Sequence, residues 1–403
     1  MDTRDVVIIA AARTPFDRFG GVLKDVPSYQ LGAVVAKELV SRAGIDKSEV
    51  DELSLGICVQ LEAAQETNII GRQVMLEAGL PPEAVSITLD RACCSSTAAI
   101  QYSERSLRLG ISSLGLVCGV ENMSRGGYLV PPGLRWEGTK MGDVVLRDPL
   151  FKLGYDRFNP VAVDAGEVAL EYGVTREEQD DWAYRSQVRY QEALAAGKFS
   201  QEMFPVSFTR GRQTVTLDRD MQPRADITRE MLSKLPTVYG SPTITPGNAP
   251  GLNTGGAGLA LATGQRAKEL GKEPLARVVK TVSVARNPRE IAVVPAPAIM
   301  KCLREAGLKL EDIELIEINE AFAAMPLVSS KVLAEETGVS LKELRDKINV
   351  NGGAVAIGHP VGASGCRLVM TMMYELLRRG GGYGIAAICG GLAQGDAVLI
   401  KVG

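Results

Sequence analysis

One strand–helix pattern occurs twice along the 403-residue chain, and this repeat leaves few folds open to it. Each half contains a strand, a helix, a strand, a helix and a strand, in that order, predicted over 53–59, 68–78, 85–89, 95–109 and 114–119, and again over 313–318, 321–336, 348–350, 363–379 and 383–389. Alternating helices and apolar strands indicate largely parallel sheets covered by helices. We therefore predict an α/β fold made of two similar halves that pack with pseudo-twofold symmetry.

The segment between the two halves has a different composition. Half of the 20 prolines fall between residues 121 and 251. This segment also holds an amphipathic helix predicted over 176–196, whose start is marked by Thr175 and Glu178 at capping-box spacing. Long connections of this kind often cover or complete a site. The predicted domains are an N-terminal half over 1–120, completed by about 251–272, an inserted loop domain over 121–250, and a C-terminal half over 273–403.

Charge and hydropathy exclude two broad classes of partner. The chain has 45 Lys and Arg against 48 Asp and Glu, a net charge of −3, and no long block of one sign. This balance argues against a general nucleic-acid or membrane-surface role. No apolar run reaches the roughly 18 residues of a membrane helix, and residues 1–12 are predicted as a strand rather than a targeting peptide. We expect a cytoplasmic protein that acts on a small molecule.

Cysteine and histidine usage narrows the possible chemistry. The seven cysteines, at 58, 93, 94, 118, 302, 366 and 389, are odd in number and contain no C-x-x-C pair. This pattern argues against a disulfide framework and a zinc site, and we expect no metal. His359 is the one histidine in the sequence. Any mechanism that needs an imidazole must therefore use His359.

The turn over 91–99 places two adjacent cysteines where a strand leads into a helix. Backbone N–H groups and the helix dipole at such a junction favour the nucleophilic thiolate. Most buried cysteines, however, are inert. We interpret Cys93 as a buried structural residue and Cys94, at the start of the helix, as the candidate nucleophile.

Three further strand ends carry polar side chains. His359 lies in a glycine-rich turn over 351–365, where the backbone can approach a ligand closely. Cys389 precedes Gly390 and Gly391, whose amides could bind an oxyanion. Asn319 and Glu320 end another strand, although alone they could be a helix cap and a helix-terminal charge. In a doubly wound fold such strand ends form one site.

Together with Gly32 and the stretch over 245–253, these segments resemble the thiolases, and the resemblance extends from residue 6 to the C-terminus. It implies a duplicated thiolase-like fold of two mixed sheets layered with helices (αβαβα), plus the inserted loop domain. The activity implied is a reversible, CoA-dependent Claisen cleavage or condensation of a 3-oxoacyl-CoA through a cysteine acyl-enzyme. No cofactor would be bound permanently, since coenzyme A is substrate or product. A homodimer or homotetramer is expected.

The resemblance also implies a role for each residue of the site. Cys94 would attack the thioester and hold the acyl group, while His359 would take its proton and help to bind the thioester oxygen. Asn319 would hold the water that completes this oxyanion hole. The amides of Cys94 and Gly391 would line a second hole, and Cys389 would move the α-carbon proton. Such a reaction requires an acyl carrier, a carbon base and two oxyanion sites.

Coenzyme A is expected along the inserted domain. By the same resemblance, the nucleotide would meet Arg224, Thr228 and Leu235, and the pantetheine arm would pass Ala249 and Pro250. Several positions depart from the family pattern around the acyl pocket: Thr97, Pro160, Val161, Pro246, Pro250 and Leu392. We therefore predict a substrate other than plain acetoacetyl-CoA.

Other functions fit the sequence less well. Condensing enzymes that decarboxylate or form HMG-CoA share the architecture but use further histidines or a glutamate base, and this chain has one histidine. Sterol-carrier-type thiolases usually have a histidine near the position of Asn319. The alternatives that stay open are a biosynthetic acetoacetyl-CoA thiolase and a catalytically silent thiolase-like subunit. The presence of all four positions that would carry the chemistry, Cys94, Asn319, His359 and Cys389, argues against a catalytically silent subunit.

Overall fold

The computed structural model describes residues 5–60, 68–152, 157–210 and 212–403. Its strands are β1 Val6–Arg13, β2 Asp17–Arg18, β3 Glu52–Gly56, β4 Val85–Leu89, β5 Leu114–Asn122, β6 Val206–Arg210, β7 Gln213–Leu217, β8 Asn253–Thr263, β9 Ala276–Ala285, β10 Ile313–Ile318, β11 Gly382–Gly390 and β12 Gln394–Val402. The first four residues of the strand predicted over 1–12 lie outside the described part.

The α-helices include very short ones as well as the long helices of the two halves. They are α1 Ser28–Ala43, α2 Ile70–Glu77, α3 Ser95–Arg108, α4 Leu134–Glu137, α5 Pro149–Lys152, α6 Val161–Glu171, α7 Arg176–Ala195, α8 Arg229–Ser233, α9 Gly264–Glu269, α10 Pro295–Ala306, α11 Ala324–Thr337, α12 Leu341–Lys347, α13 Ala354–Ile357 and α14 Ser364–Arg379. Within the described residues, none of the helices has the length and apolar character needed to span a bilayer.

Strand order confirms the duplication. The first half runs β4-β3-β5-β8-β1 and the second runs β10-β11-β12-β9. Counted from β1 and β9 outward, each half has two antiparallel pairs and then a parallel pair, and the first half adds one more parallel pair, β3 with β4. In place of the strand predicted over 348–350, Ile348 makes a single bridge to Ile316 beside β10. The two predicted sheets are joined, since β1 pairs with β9 antiparallel. An antiparallel junction is what a twofold axis between β1 and β9 requires.

Three apolar cores separate the layers and confirm the αβαβα arrangement. The middle core contains α3 and α14, packed between the two halves of the sheet. One outer core lies under α1 and α2, and the other under α10 and α11. Alternation along β1 sends Val6 and Ile8 into the middle core and Val7 into an outer one. Both faces of the sheet are therefore buried, which explains its nearly continuous apolar strands.

The predicted elements agree with the structure in most cases. Helix α7 starts with the predicted capping box, in which the Thr175 side chain accepts from the Glu178 backbone and Glu178 reciprocates. The helix predicted from residue 321 begins later, at Ala324. Residues before it form a turn in which the Ala323 amide donates to the Asn248 carbonyl over 2.9 Å. The residues just before α11 are thus bonded to the inserted segment.

A buried ion cluster attaches the inserted segment to β1. The fully buried Arg13 donates to Glu202 over 2.7 Å and to both oxygens of Asp220 over 2.7 and 2.9 Å. Asp220 also accepts from the Phe16 amide at 2.7 Å and the Tyr190 hydroxyl at 3.1 Å. Charge-assisted, bidentate pairs of this kind fix geometry strongly. The cluster therefore holds α7 and the following chain against the central layer.

We predict that Asp220→Ala lowers the free energy of unfolding by about 3–5 kcal/mol, because it leaves the Arg13 charge buried without its bidentate partner. Urea unfolding followed by circular dichroism measures the change. Asp218→Ala is the matched control, since Asp218 is exposed two residues earlier, and it should change stability by less than about 0.5 kcal/mol. Equal losses in both variants would contradict a stabilising role for the cluster.

Candidate active site

The polar turns and strand ends predicted from the sequence converge on one open pocket. Cys93 reaches it from the turn after β4, His359 from the turn before α14, and Cys389 and Gly391 from the end of β11. Asn319, at the end of β10, lies beside His359 at 3.4 Å from its Nε2 atom. The first half thus contributes Cys93, and the second half contributes the other predicted polar groups, from Asn319 to Gly391.

Cys93, and not Cys94, faces the imidazole. The Sγ atom of Cys93 lies 3.2 Å from Nε2 of His359. Cys94 is fully buried, and its sulfur contacts the Ile388 carbonyl oxygen at 3.5 Å, on the side of the middle core. The Cys94 amide, predicted to line an oxyanion hole, donates instead to the Arg91 carbonyl at 3.1 Å. The prediction for Cys94 is therefore corrected, and the thiol at the site belongs to Cys93.

Local backbone geometry explains the correction. Cys94 occupies the N-cap of α3, and its side chain faces the packed helix layer. Ala92 has a positive φ of 50°, an unusual conformation for a non-glycine residue. This turn directs the next residue, Cys93, into the pocket. A helix start can be predicted from sequence, but which of two adjacent thiols faces the pocket depends on the geometry of the turn and on the residues packed around it.

Hydrogen bonds define the tautomer of His359. Its Nδ1 lies 2.6 Å from the Ser364 hydroxyl oxygen, and that hydroxyl donates to the Pro360 carbonyl at 3.0 Å. Because the single hydroxyl proton points to Pro360, Ser364 accepts from Nδ1–H. The lone pair of Nε2 then faces the Cys93 thiol. A backbone bond from the His359 amide to Asn253 Oδ1, at 2.8 Å, holds the ring in place.

Burial keeps the reacting groups uncharged at rest. It lowers the pKa of His359 to about 3, and the Arg367 guanidinium also acts to lower it. Burial raises the pKa of Cys93 well above its usual range, with a further increase from the charge of a Cys389 thiolate. The pKa of Cys389 is raised to about 12 by burial. Desolvation thus outweighs the thiolate stabilisation expected from the helix start.

Glu320 organises the surroundings of the site, a role that sequence reasoning missed. Its carboxylate accepts from Trp182 Nε1 at 2.8 Å, Ser186 Oγ at 2.8 Å, Asn349 Nδ2 at 2.9 Å and the Val355 amide at 3.1 Å. These donors come from α7 and from the turn that leads to His359. From sequence, Glu320 looked like a helix-terminal charge, because its partners are up to 138 residues away.

The predicted coenzyme A residues fall into two groups. Ala249 and Pro250 line the pocket. Arg224 and Thr228 are exposed on the segment around α8, where the Thr228 hydroxyl caps the helix by accepting from the Met231 amide at 3.1 Å. Leu235 follows α8 and is partly buried. The second group lies away from the pocket wall, on the segment predicted to meet the nucleotide.

Of the six positions that depart from the family pattern, Pro160, Val161 and Pro250 line the pocket, whereas Thr97, Pro246 and Leu392 do not. Large apolar side chains complete the wall: Met123, Leu150, Phe151, Tyr239, Leu252, Ile291 and Phe322. In the described part of the chain, no three His, Cys, Asp or Glu side chains come together as a metal site. The pocket therefore combines an apolar wall with the thiols of Cys93 and Cys389 and the imidazole of His359. The side-chain amide of Asn319 lies next to that imidazole.

Comparison with known proteins shows the family of the chain. A family profile described as the thiolase N-terminal domain matches residues 6–265, and one for the thiolase C-terminal domain matches 272–402. A β-ketoadipyl-CoA thiolase of Pseudomonas aeruginosa is 40% identical, and an acetyl-CoA acetyltransferase of Syntrophomonas wolfei is 37% identical, each alignment covering 99% of both chains.

A solved structure has the same architecture. The crystal structure of human mitochondrial 3-ketoacyl-CoA thiolase superposes with a TM-score of 0.91 and 34% identity, and the match covers 100% of both chains. The two profiles, the full-length relatives and this superposition agree with one another from β1 to β12. The chain is therefore a member of the thiolase family.

Proposed function

We propose that this protein catalyses the reversible, CoA-dependent Claisen cleavage of a 3-oxoacyl-CoA, with Cys93 as the acyl carrier. One observation carries the proposal: the Cys93 sulfur lies 3.2 Å from Nε2 of His359, inside the pocket. A nucleophile within hydrogen-bond reach of a base that is itself oriented by a third group is the arrangement of covalent catalysis. Here Ser364 is the orienting group.

In the cleavage direction, the Cys93 thiol transfers its proton to Nε2 as the sulfur attacks the 3-oxo carbon. The carbon–carbon bond then breaks, and its electron pair leaves as the enolate of acetyl-CoA. Cys389 gives its proton to that α-carbon. A second coenzyme A thiol next attacks the acyl-Cys93 thioester and takes over the acyl group. The thiol proton of that coenzyme A passes to Cys389, and the proton held on Nε2 of His359 returns to Cys93.

Two groups are proposed to stabilise oxyanions. The amide oxygen of Asn319 is buried and has no hydrogen-bond partner in the described part of the chain. A buried acceptor of this kind calls for a donor, which supports the role of holding a water that donates one proton to Asn319 and the other to the oxyanion beside His359. Gly391 lines the pocket, and its amide is proposed to act with that of Cys93, in place of Cys94. Fixed donors of this kind contribute strongly to catalysis.

The substrate is proposed to carry an apolar tail longer than that of acetoacetyl-CoA. The large side chains that line the chamber are mostly apolar, and none of its lining residues in the described part of the chain is Lys or Arg. A terminal carboxylate would lose its hydration there without gaining a cationic partner. The pocket thus favours a neutral 3-oxoacyl chain over a dicarboxylic one such as ketoadipyl.

We expect an acyl adduct on Cys93 after incubation with acetyl-CoA, located by peptide mass spectrometry. Cys93→Ala should abolish the adduct, because no other described sulfur lies against the imidazole. Cys94→Ala is the control: this thiol is next in sequence but buried away from His359, so acylation should persist. Persistence in Cys93→Ala together with loss in Cys94→Ala would return the role to Cys94.

Exchange experiments should distinguish the roles of Cys93 and Cys389. Cys389→Ala is expected to retain transfer of the acyl group between Cys93 and labelled CoA, which needs no carbon deprotonation. The same variant should lose exchange of acetyl-CoA methyl hydrogens with deuterated water by about 10²- to 10⁴-fold, the contribution of a positioned base. NMR measures the methyl exchange. Full methyl exchange in Cys389→Ala would assign the carbon base to another residue.

Thiolysis of a substrate panel tests chain preference. We expect kcat/KM for 3-oxooctanoyl-CoA to exceed that for acetoacetyl-CoA by about tenfold or more, since even one added methylene that packs in an apolar pocket contributes about 1–3 kcal/mol. The dicarboxylic 3-oxoadipyl-CoA should be poorer than the neutral six-carbon 3-oxohexanoyl-CoA. If acetoacetyl-CoA is the best of the four, the biosynthetic alternative holds instead.

A further inference from the structure

One buried glutamine connects the segment around α8 with the turn that carries His359. Gln187, on α7, is 6% exposed. Its Oε1 accepts from the Arg224 amide at 2.9 Å, and its Nε2 donates to the Val355 carbonyl at 3.3 Å. Both ends of one side-chain amide are thus committed to backbone groups that lie far apart in the sequence.

The Val355 peptide is held from both sides. Its N–H donates to Glu320 at 3.1 Å, and its carbonyl accepts from Gln187. Val355 lies in α13, which ends two residues before His359. Gly358 joins them with a φ of 108°, a conformation that side chains rarely allow. A displacement of the Val355 peptide would therefore be transmitted to the imidazole through a very short connection.

An apolar cluster connects the same two parts of the chain by packing. Val355 packs with Ala183 of α7 and Leu232 of α8, and the partly buried Ile227 and Leu235 extend the contact. Three members of this cluster, Ile227, Leu232 and Leu235, belong to the 224–235 segment. Hydrogen bonds and packing therefore couple the same two parts of the chain, the 224–235 segment and the turn before His359.

We infer that Gln187 is a positioning residue that transmits binding of the nucleotide end of coenzyme A to His359. The inference rests on the proposed function, because it takes the 224–235 segment as the nucleotide site. Binding energy from a remote part of a substrate can be used to orient the reacting groups, so that truncated substrates lose rate and not only affinity. A misplacement of about 1 Å at such a site can cost about 10²-fold in rate.

The test compares two acyl donors that differ only in the nucleotide. Acylation of Cys93 is measured by rapid quench and mass spectrometry at saturating acetyl-CoA and at saturating S-acetylpantetheine, which lacks the nucleotide. We expect the wild type to be acylated faster by acetyl-CoA. Gln187→Met, which removes both hydrogen bonds but keeps the side-chain length, should lower the ratio of the two rates by about tenfold, within the usual range of coupling between sites.

Gln191→Met is the matched control. Gln191 is a partly buried glutamine one helical turn further along α7, so the same substitution should leave the ratio at its wild-type value. Circular dichroism checks that each variant is folded. If Gln187→Met does not fold, Val355→Ala removes the apolar part of the same connection and is expected to lower the ratio as well.

Several outcomes would overturn the inference. An equal loss of rate with both donors would mean that Gln187 acts through general structure. A ratio near one in the wild type would mean that there is no nucleotide effect to transmit. A ratio unchanged by Gln187→Met, or by Val355→Ala where it replaces that variant, would also refute the connection. In contrast, a wild type that forms no adduct on Cys93 with either donor would refute the proposed function itself.

Discussion

The carboxylate of Glu320 is the interaction on which the rest of the site depends. Oε1 accepts from Trp182 and Asn349, and Oε2 accepts from Ser186 and Val355. A glutamine could not replace Glu320, because its amide nitrogen is a donor. In one orientation of the amide this nitrogen would face the Trp182 N–H, and in the other it would face the Val355 N–H. The space is equally restricted, because a Cβ atom on Gly353 would lie 2.2 Å from the Glu320 carboxyl carbon. Helix α7 and the His359 turn therefore meet at one anion.

The duplicated fold explains why the site lies where it does. Pseudo-twofold symmetry brings the starts of α3 and α14 together, where the Ser96 hydroxyl accepts from the Cys366 amide at 3.1 Å. The turn before α3 supplies Cys93, and the turn before α14 supplies His359. Each half of the duplication has thus kept the same architecture while carrying a different chemical group. Neither half by itself contains both Cys93 and His359.

Electrostatics in the pocket favour a neutral resting state. Two thiols share the pocket, and the charge of one thiolate raises the pKa of the other. A buried imidazole with a pKa of about 3 is a weak base toward free protons. In the proposed mechanism, its proton transfer from Cys93 is favourable only when a bound carbonyl receives the developing charge. The proposed nucleophile is then protected until substrate arrives, because desolvated charges form only in the presence of a partner.

The sequence by itself determined the duplication, the layered α/β class and most element bounds, because these depend on local periodicity and turn chemistry. It also singled out His359, in a glycine-rich turn, and Asn319, Cys389 and Gly391, at strand ends, all of which the fold brings into or beside the pocket. Tertiary structure decided what local patterns cannot encode. Cys93 faces His359 and Cys94 faces the Ile388 carbonyl, and bonds from distant elements make Glu320, which the sequence suggests is a helix-terminal charge, a buried anchor. Both outcomes depend on packing between segments far apart in the chain, which no local spacing reports.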